Sequence, residues 1–566
     1  MNSSVCFFLQ AMSTKAPSIS SEEQSVAVKP YEGISGEQFI QDTSENEILQ
    51  IESNVEASRA LSRIISDSDA VLERSLSSNE PLPPMGGGRT YPPLLGSRDP
   101  YVVTFDGPDD PGFPQNFPFW KKIVYSLGPL FTSLSVSLGS AMFSQASPEI
   151  MEIYHIGVTP VALTTALFVF GFATGPVIYG PLSELFGRKI IMVISSFLYV
   201  CFSFAVATAK DIQTIMICRF FSGFVGSAAF VVSPAIFSDL FSTKQRGTAI
   251  STFAGVLFGG PMLAPIFGGF TVKNSSLGWR WTVYFCGIVA ALGLVLNVFL
   301  LEETHHPIIL AKRAEELRRR TGNWGIYALH EEVTLSLREI FQNNIARPLT
   351  MLFTESILFL VSIYNGFIYA MLYCLLTAMP LIFQEGYGFR RGVAELPYLA
   401  MLLGVFIGIA ALILFEQRYL KAMQRNNGKP IPEERLPPVF VGGIFFIIGI
   451  VILTVAGDFP EKVHFMVPTV GAGFVGFALM LIFLPTMNYV IDCYLFVAAS
   501  ALAANTFLRS AMAAVFPLFS HQMFVNLTNK YAGTILAGLG VLLLPVPIAF
   551  RVYGKRIREN SKYAYK

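Results

Sequence analysis

Charge is scarce in this chain. Asp, Glu, Lys and Arg make up 14% of its 566 residues while 52% are hydrophobic; water-soluble domains do not have that balance, and it asks for lipid as solvent. Neither sign predominates, the formal net charge being +1, so the totals point to no acidic partner, and no nucleic acid is expected to bind. Cysteine is sparse too. Cys201, Cys218, Cys286, Cys374 and Cys493 lie in or beside apolar runs without CxxC or metal-ligand spacing, which reads as small core residues and not as a metal or redox centre. The pair His305-His306 lacks further ligand spacing, and no nucleophile-and-base arrangement or phosphate loop occurs. Neither an enzyme nor an ATP-driven machine is expected, and no cofactor. The run Gly471 to Gly476 spells GxGxxG inside an apolar stretch, without the strand-to-helix context of a dinucleotide site, so packing explains it. No cleaved leader is expected either: the stretch VCFFLQAM is too short to span a bilayer and has no basic flank.

What the chain has is apolar length. Residues 1–117 are rich in Ser, Glu and Pro and are expected to form a disordered cytosolic tail. Beyond Lys121, twelve apolar stretches alternate with short polar breaks, at 122–143, 159–181, 189–208, 212–237, 248–271, 280–301, 348–383, 393–415, 439–457, 465–487, 496–520 and 531–553. Each approaches or exceeds the roughly 20 residues that a bilayer crossing needs. The seventh is too long for one straight span, so a break near Asn365-Gly366 or an extension past the bilayer is expected. Basic residues favour one side: Arg188, Lys189, Lys244, Arg246, the Lys312 to Arg347 group including Arg338, Arg418 to Arg435 including Lys429, and Arg551 to Arg558. The other side carries few, among them Lys210, Lys273, Arg280, Arg390, Arg391, Lys462 and Lys530. Retention of basic loops in the cytosol puts both termini inside and the sequons at Asn274 and Asn526 outside. A charged connection at 302–347 divides the spans into halves at 118–301 and 348–553, with a tail at 554–566. That division suggests a solute site between two six-helix halves at mid-membrane.

Several motifs carry mechanism. After the second stretch the chain reads Gly180-Pro181-Leu182-Ser183-Glu184-Leu185-Phe186-Gly187-Arg188-Lys189, which resembles the loop signature of the major facilitator superfamily. Glu184 sits where a carboxylate can meet the start of the third helix, and Arg188 can pair with Asp239 at the end of the fourth. Glu184 replaces the family's usual Asp and Leu185 a common basic residue, which weakens part of its charge relay. Arg219 opens Arg219-Phe220-Phe221-Ser222-Gly223 in the fourth stretch, similar to another family pattern. A buried cation there marks either function or a structural contact with backbone carbonyls. The fifth stretch, from Gly255 through Gly259, Gly260, Pro261 and Pro265 to Gly268 and Gly269, looks like the family's antiporter motif. Its glycines permit close helix approach, and its prolines remove amide donors.

Further blocks narrow the resemblance. Leu277-Gly278-Trp279-Arg280-Trp281, Glu302-Glu303-Thr304-His305-His306-Pro307, Leu352-Phe353-Thr354-Glu355 and Ala504-Asn505-Thr506-Phe507-Leu508-Arg509 are similar to the fungal twelve-span drug:proton antiporters, from about Asp99 to the C-terminus. In the second half, Glu355 and Arg509 are charges within apolar stretches, candidates to carry or sense a proton, with a structural role for Glu355 as the alternative. Ser133, Ser137, Ser140 and Ser144 share a face of the first helix, with Gln145 at its end, and either line a wet path or pack helices. Tyr364, Asn365, Tyr369 and Tyr373 in the seventh either offer an aromatic surface with polar tips, suited to flat or cationic amphiphiles, or, for some of the tyrosines, anchor the helix at the membrane interface. The resemblance implies an all-α major facilitator fold, working as a monomer in the plasma membrane or the vacuolar membrane. It also implies export of drugs or other amphiphilic small molecules against protons. A polyamine or metabolite exporter, a proton-coupled nutrient importer and a transporter-like receptor stand as alternatives.

Overall fold

Glycine, proline and capping residues set the helix boundaries along the chain. The computed structural model describes residues 101–564 except 108, 275, 333–341, 343–345, 427–430 and 560, and leaves aside the side chains of 243, 244, 247, 248, 251 and 496. The expected tail up to residue 100, Arg338, Lys429, Ser275 of one sequon and the Lys244 side chain lie outside the described residues. The long helices are α1 (Phe119–Met142), α2 (Val158–Leu185), α3 (Arg188–Thr208), α4 (Ile212–Leu240), α5 (Thr243–Lys273) and α6 (Arg280–Phe299). After the connection come α7 (Ser356–Pro380), α8 (Pro397–Arg425), α9 (Pro437–Gly457), α10 (Met466–Cys493), α11 (Ala498–Leu543) and α12 (Pro545–Glu559). Asp211 caps α4 by accepting from Thr214 N at 2.7 Å, which satisfies one of its unpaired first-turn amides. Gly187, at φ +96°, turns the chain from α2 into α3 where a side chain is strained.

Eleven helices among the described residues are long and apolar enough to cross a bilayer, because the last runs unbroken from Ala498 to Glu559. Thr528 lies within it at φ 63°, ψ 162° and divides two helices. The eleventh and twelfth spans meet there, giving the twelve of the major facilitator fold. The seventh stretch is interrupted at Glu355, not near Asn365-Gly366. A short helix, Arg347–Thr354, ends there, Glu355 is extended at φ −103°, ψ 105°, and α7 starts at Ser356. Asn365 sits within the intact helix, its Oδ1 accepting from Thr486 Oγ1 on α10 at 2.7 Å and its Nδ2 without a hydrogen-bond partner among the described residues.

The described residues fall into two units. The smaller, 101–104 with 311–328, pairs Val102 with Tyr327 in an isolated parallel bridge, Val103 N donating to Tyr327 O at 2.9 Å. The larger holds every span. In it α1–α6 and α7–α12 form two halves that meet along α2 with α11 and along α5 with α8. Small residues let the backbones close: Gly223 of α4 faces the Phe168 carbonyl of α2, and Gly404 of α8 that of Gly473 on α10. The GxGxxG run on α10 does the same, Gly471 facing Leu453 N of α9 and Gly473 the Ala400 carbonyl of α8. Without water between helices, such packing and buried polar bonds hold a membrane bundle. Asn297 of α6 donates to Thr132 of α1 at 3.0 Å and Ser196 of α3 at 3.1 Å. Cys286, Cys374 and Cys493 are buried and Cys218 is partly so, but Cys201 is exposed, because its face of α3 turns outward from the bundle. α7 is the innermost span, with 83% of its apolar core buried against 28% for α8. Its side chains therefore reach both sides of the seam.

Candidate functional site

Two cavities open where α2 faces α7 and α11. One, about 340 Å³, is lined by Phe172 and Glu184 of α2, Phe230 of α4, Tyr369 of α7, and Thr506 and Arg509 of α11. It lies toward the end of the bundle that carries Arg188 and Arg435, called here the basic end. The other, about 390 Å³, is lined by Gln145, Thr165, Tyr373, Gln384, Arg391 and His521 and lies toward the far end. Both have the size of small-molecule sites, mostly apolar with a few convergent polar groups. Tyr369 lines the first and Tyr373 the second. Their rings meet edge to face at 5.4 Å and their hydroxyls are 3.3 Å apart. The Arg509 guanidinium lies over the rings of Tyr369 at 4.7 Å and Phe483 at 4.8 Å, and its Nε has no hydrogen-bond partner. Aromatic faces compensate part of the cost of that cation, which lines the first cavity with its Nε buried.

The other residues singled out from the sequence sit around this seam. Ser140 lies beside Tyr373, and Ser144 lines the far cavity with Gln145. Ser133 bonds Ser233 of α4 at 3.1 Å, and Ser137 donates to the Leu257 carbonyl of α5 at 2.8 Å, so these two pack α1 against its own half. The Tyr364 hydroxyl points at Gly443 of α9 and Asn365 is taken by Thr486. Neither lines either of the two cavities. Phe172, Phe230, Thr165, Thr506 and His521, which do line one, carried no distinguishing signal, since an aromatic or threonine in an apolar run looks the same whether it faces lipid or the seam.

At the basic end Arg188 Nε pairs with Asp239 Oδ2 at 3.4 Å and Nη1 donates to Ser183 Oγ at 2.6 Å. The carboxylate at the start of α3 is that of Glu303, not Glu184: it accepts from Arg188 N at 2.9 Å and Lys189 N at 3.2 Å. It fills the space a Cβ on Gly187 would need, so Gly187 serves both the turn and this contact. Glu184 is exposed at the cavity wall. His305, half-buried beside this cluster, has its pKa pushed down to about 4, first by burial and then by Arg188, His330 and His306. The second half repeats the arrangement. Arg435, before α9, pairs with Asp492 at the end of α10 at 3.0 Å and with Glu416 at 2.7 Å, and Tyr419 OH donates to Asp492 at 2.8 Å. Arg188 and Asp239 are 51 residues apart, Arg435 and Asp492 57. Sequence reading missed this second pair, whose only signal is that correspondence of spacing.

Arg219 is clamped inside the first half. Its Nη1 donates to the Gly139 carbonyl at 2.8 Å and its guanidinium lies over Phe168 at 4.1 Å and Phe143 at 4.6 Å. No acid pairs with it among the described residues. Glu355, 5% exposed, accepts from Tyr494 OH at 3.1 Å and Ser561 Oγ at 2.6 Å, and lines neither cavity. Along α5 the glycine run faces two ways. Gly260 and Gly268 meet Ser137 and Gln145 of the first half, Gly259 meets Leu402 of α8 at 3.5 Å, and Gly269 meets Glu395; Gly255 has open space. Pro261 and Pro265 lie within the helix. No cluster of three or more potential metal ligands occurs among the described residues.

Known proteins match this architecture. The pattern of the Major Facilitator Superfamily matches residues 130–517. The chain is 64% identical to the major facilitator superfamily multidrug transporter FLU1 of Candida albicans, over 95% of this chain and 88% of that one. It is 47% identical to the multidrug transporter TPO1_2 of Candida glabrata, over 91% and 89%. Among solved structures, a partially occluded inward-open form of the xylose transporter XylE from E. coli shares the fold, with a TM-score of 0.55 at 16% identity, covering 77% of this chain and 98% of that one. Twelve spans in two halves, a seam with a cavity toward each end and these relatives together make the chain a member of the major facilitator superfamily, in the family that contains the fungal multidrug transporters.

Proposed function

We propose that the chain exports drugs and other small amphiphilic molecules in exchange for protons, the two halves rocking about the seam between α2, α7 and α11. The observation that carries this reading is the pair of cavities divided by Tyr369 and Tyr373. A carrier needs a site reachable from one side at a time, and two tyrosines between two drug-sized spaces form such a barrier. The names of the relatives, multidrug transporters both, support the substrate class. In this reading the basic end is cytosolic, as the asymmetry of Lys and Arg favours, and both termini lie inside. The plasma membrane is the proposed location and the monomer the working unit. Solute enters from the cytosolic cavity, which Glu184 and Arg509 line, and stacks against Tyr369 and Tyr373. The Arg188–Asp239 pair and the Arg435–Asp492 pair hold the cytosolic ends of the two halves, and breaking or remaking them accompanies the rocking. A proton moving inward contributes about 2.3 kcal/mol per 100 mV, besides the pH term.

Reconstitution tests this directly. Purified protein in proteoliposomes, given a pH gradient and a panel of cationic drugs, neutral antifungals and polyamines, is expected to accumulate at least one drug on the acidic side. If no panel member moves in response to the gradient, the reading fails. Accumulation on the opposite side indicates an importer.

A further inference from the structure

The most deeply buried acid of the far end is Glu395, in the turn between α7 and α8. It is 1% exposed. Its Oε1 accepts from Gln384 Nε2 and its Oε2 from Gly392 N, both at 2.6 Å. The surface it presses on belongs to the other half: a Cβ on Gly269 of α5 would come within 2.8 Å of its carboxyl carbon and Oε2. Next to this contact Gly392, at φ +90°, lies so close to Phe270 that a Cβ there would come within 2.7 Å of the ring. The last glycine of the Gly255 to Gly269 run thus seats a carboxylate contributed by the opposite half. The contact closes the far end along α5 and α8.

Glu395 lacks a counter-charge there. No ion pair to it occurs among the described residues, and Arg391 of the same turn acts on it only at longer range. Tyr398 of α8 is buried beside it and donates its proton to the Leu375 carbonyl. From the turn after α7 comes the neutral Gln384, and from α5 come Gly269 and Phe270, Lys273 being exposed. Burial raises the carboxyl's pKa, while the Gly392 amide, Gln384 and Arg391 oppose the rise only in part. A neutral carboxyl keeps both neighbours, since the Gln384 amide can turn to accept.

We propose that Glu395 is a proton-binding gate: it holds a proton while the far end is closed over it and releases that proton to the outer water when α5 and α8 part. This rests on the alternating-access reading above, with the far end outside. Opening admits water to the carboxylate and stabilises its charged form, so the open state has the lower proton affinity. By linkage, outer acid then favours the closed far end, and a tenfold difference in affinity between the states moves their ratio by up to about tenfold. The proton comes from the outer water and returns to it, so it is not counted in the exchange of solute. Its role is to reset the carrier once solute has left.

The test uses the full chain in lipid nanodiscs at uniform pH, with spin labels on unnatural side chains at the exposed positions Ser276 and Glu461, at the far ends of the two halves. In the unsubstituted protein the short-distance, closed population is expected to rise about tenfold relative to the open one between pH 7.5 and 5. In Glu395→Gln it is expected to stay closed, changing by less than about twofold across that range. Gln384→Met, which removes a donor to the charged form, is expected to move the midpoint of closure to higher pH and serves if Glu395→Gln fails to fold. A pH-independent distance in the unsubstituted protein, an unaltered pH response in Glu395→Gln, or an unmoved midpoint in Gln384→Met overturns the proposal. Gradient-driven export, measured in parallel in proteoliposomes, separates the two readings. If it is absent while the distance responds as expected, the proton-exchange reading fails and the gate stands.

Discussion

The hydroxyls of Tyr369 and Tyr373 meet at 3.3 Å with one ring in each cavity, so a single turn of α7 separates the basic-end and the far-end spaces. One shared contact predicts non-additive substitutions. Tyr369→Phe and Tyr373→Phe each remove it, a loss of about 1 kcal/mol, and the double variant is expected to be no worse than either alone. Tyr373→Ala joins the cavities outright. Efflux of preloaded drug from proteoliposomes with no pH gradient measures the leak, which is expected to rise several-fold in the Phe variants and most in Tyr373→Ala. Additive leaks in the double Phe variant are the outcome that counts against a shared barrier.

Gly260 of α5 lies so close to Ser137 of α1 that an added methyl occupies the place of the serine hydroxyl. Gly260→Ala is therefore expected to cost about 1–3 kcal/mol by overpacking, and Ser137→Gly in the same chain to restore most of it. Thermal unfolding in detergent reads the pair as a double-mutant cycle. Equal destabilisation with and without Ser137→Gly would mean that the strain lies elsewhere.

How much of this was legible beforehand depended on whether a feature is local. Spans are local, because an apolar run of sufficient length has one solution in lipid, and all twelve were visible despite the merging of the last two at Thr528. Arg188 and Asp239 were paired in advance because the loop signature locates Arg188 and Asp239 stands at the end of the fourth apolar stretch. Glu303 belongs to a family block, yet its place is not readable from it, since only the return of the chain after α6 brings it to the start of α3. For the seventh span a break near Asn365, a polar residue in an apolar run, or an extension past the bilayer was expected; the break falls at Glu355, because a polar side chain leaves the backbone bonds of a helix intact. Cavity walls were least legible. Phe170 and Phe172 are equivalent in sequence, yet Phe170 is 39% exposed on the outside of the bundle and Phe172 lines the seam. Glu395 stands at the margin of an apolar stretch, and nothing near it in sequence indicates that Gly269 will cover it.

His305 gives a pH dependence with a defined sign. Its pKa in the folded chain is about 4, below the ordinary value of about 6.5, so the folded state favours the neutral ring. The stabilisation is complete above about pH 6.5 and is lost as the pH falls toward 4. The melting temperature in detergent is therefore expected to fall between pH 7 and 5, by roughly 2–4 °C from this group. His305→Gln, which cannot take up the proton, should flatten that part of the profile. An identical slope in the variant would assign the dependence to other groups.

The two basic-end pairs differ in strength. Asp492 holds Arg435 at 3.0 Å and Tyr419 at 2.8 Å, whereas Asp239 holds Arg188 at 3.4 Å. Removing a charge with two good partners costs more than removing one with a single long contact, about 1–3 kcal/mol against 1 or less. Asp492→Asn is expected to lower the melting temperature more than Asp239→Asn does. The reverse order would make Asp239 the main fastening and the second-half pair secondary.

Glu355 tests whether a buried acid near the membrane carries the exchanged proton or anchors the chain. Its carboxylate is 2.6 Å from Ser561 Oγ and 3.1 Å from Tyr494 OH, and Ser561 Oγ in turn accepts from Tyr563 N at 3.2 Å and Ala564 N at 2.9 Å. The acid thus holds the segment after Glu559 in place. Gln at 355 still accepts from both hydroxyls, so Glu355→Gln is expected to keep gradient-driven export within about threefold. Ser561→Asp brings a second carboxylate against the first in a buried place, and like charges there repel strongly. The segment should detach, and tryptic cleavage after Lys562 should quicken by about tenfold, the population shift expected for some 1.4 kcal/mol. If Glu355→Gln instead abolishes export while drug binding persists, the exchanged proton belongs to Glu355 and the contact with Ser561 is incidental to transport.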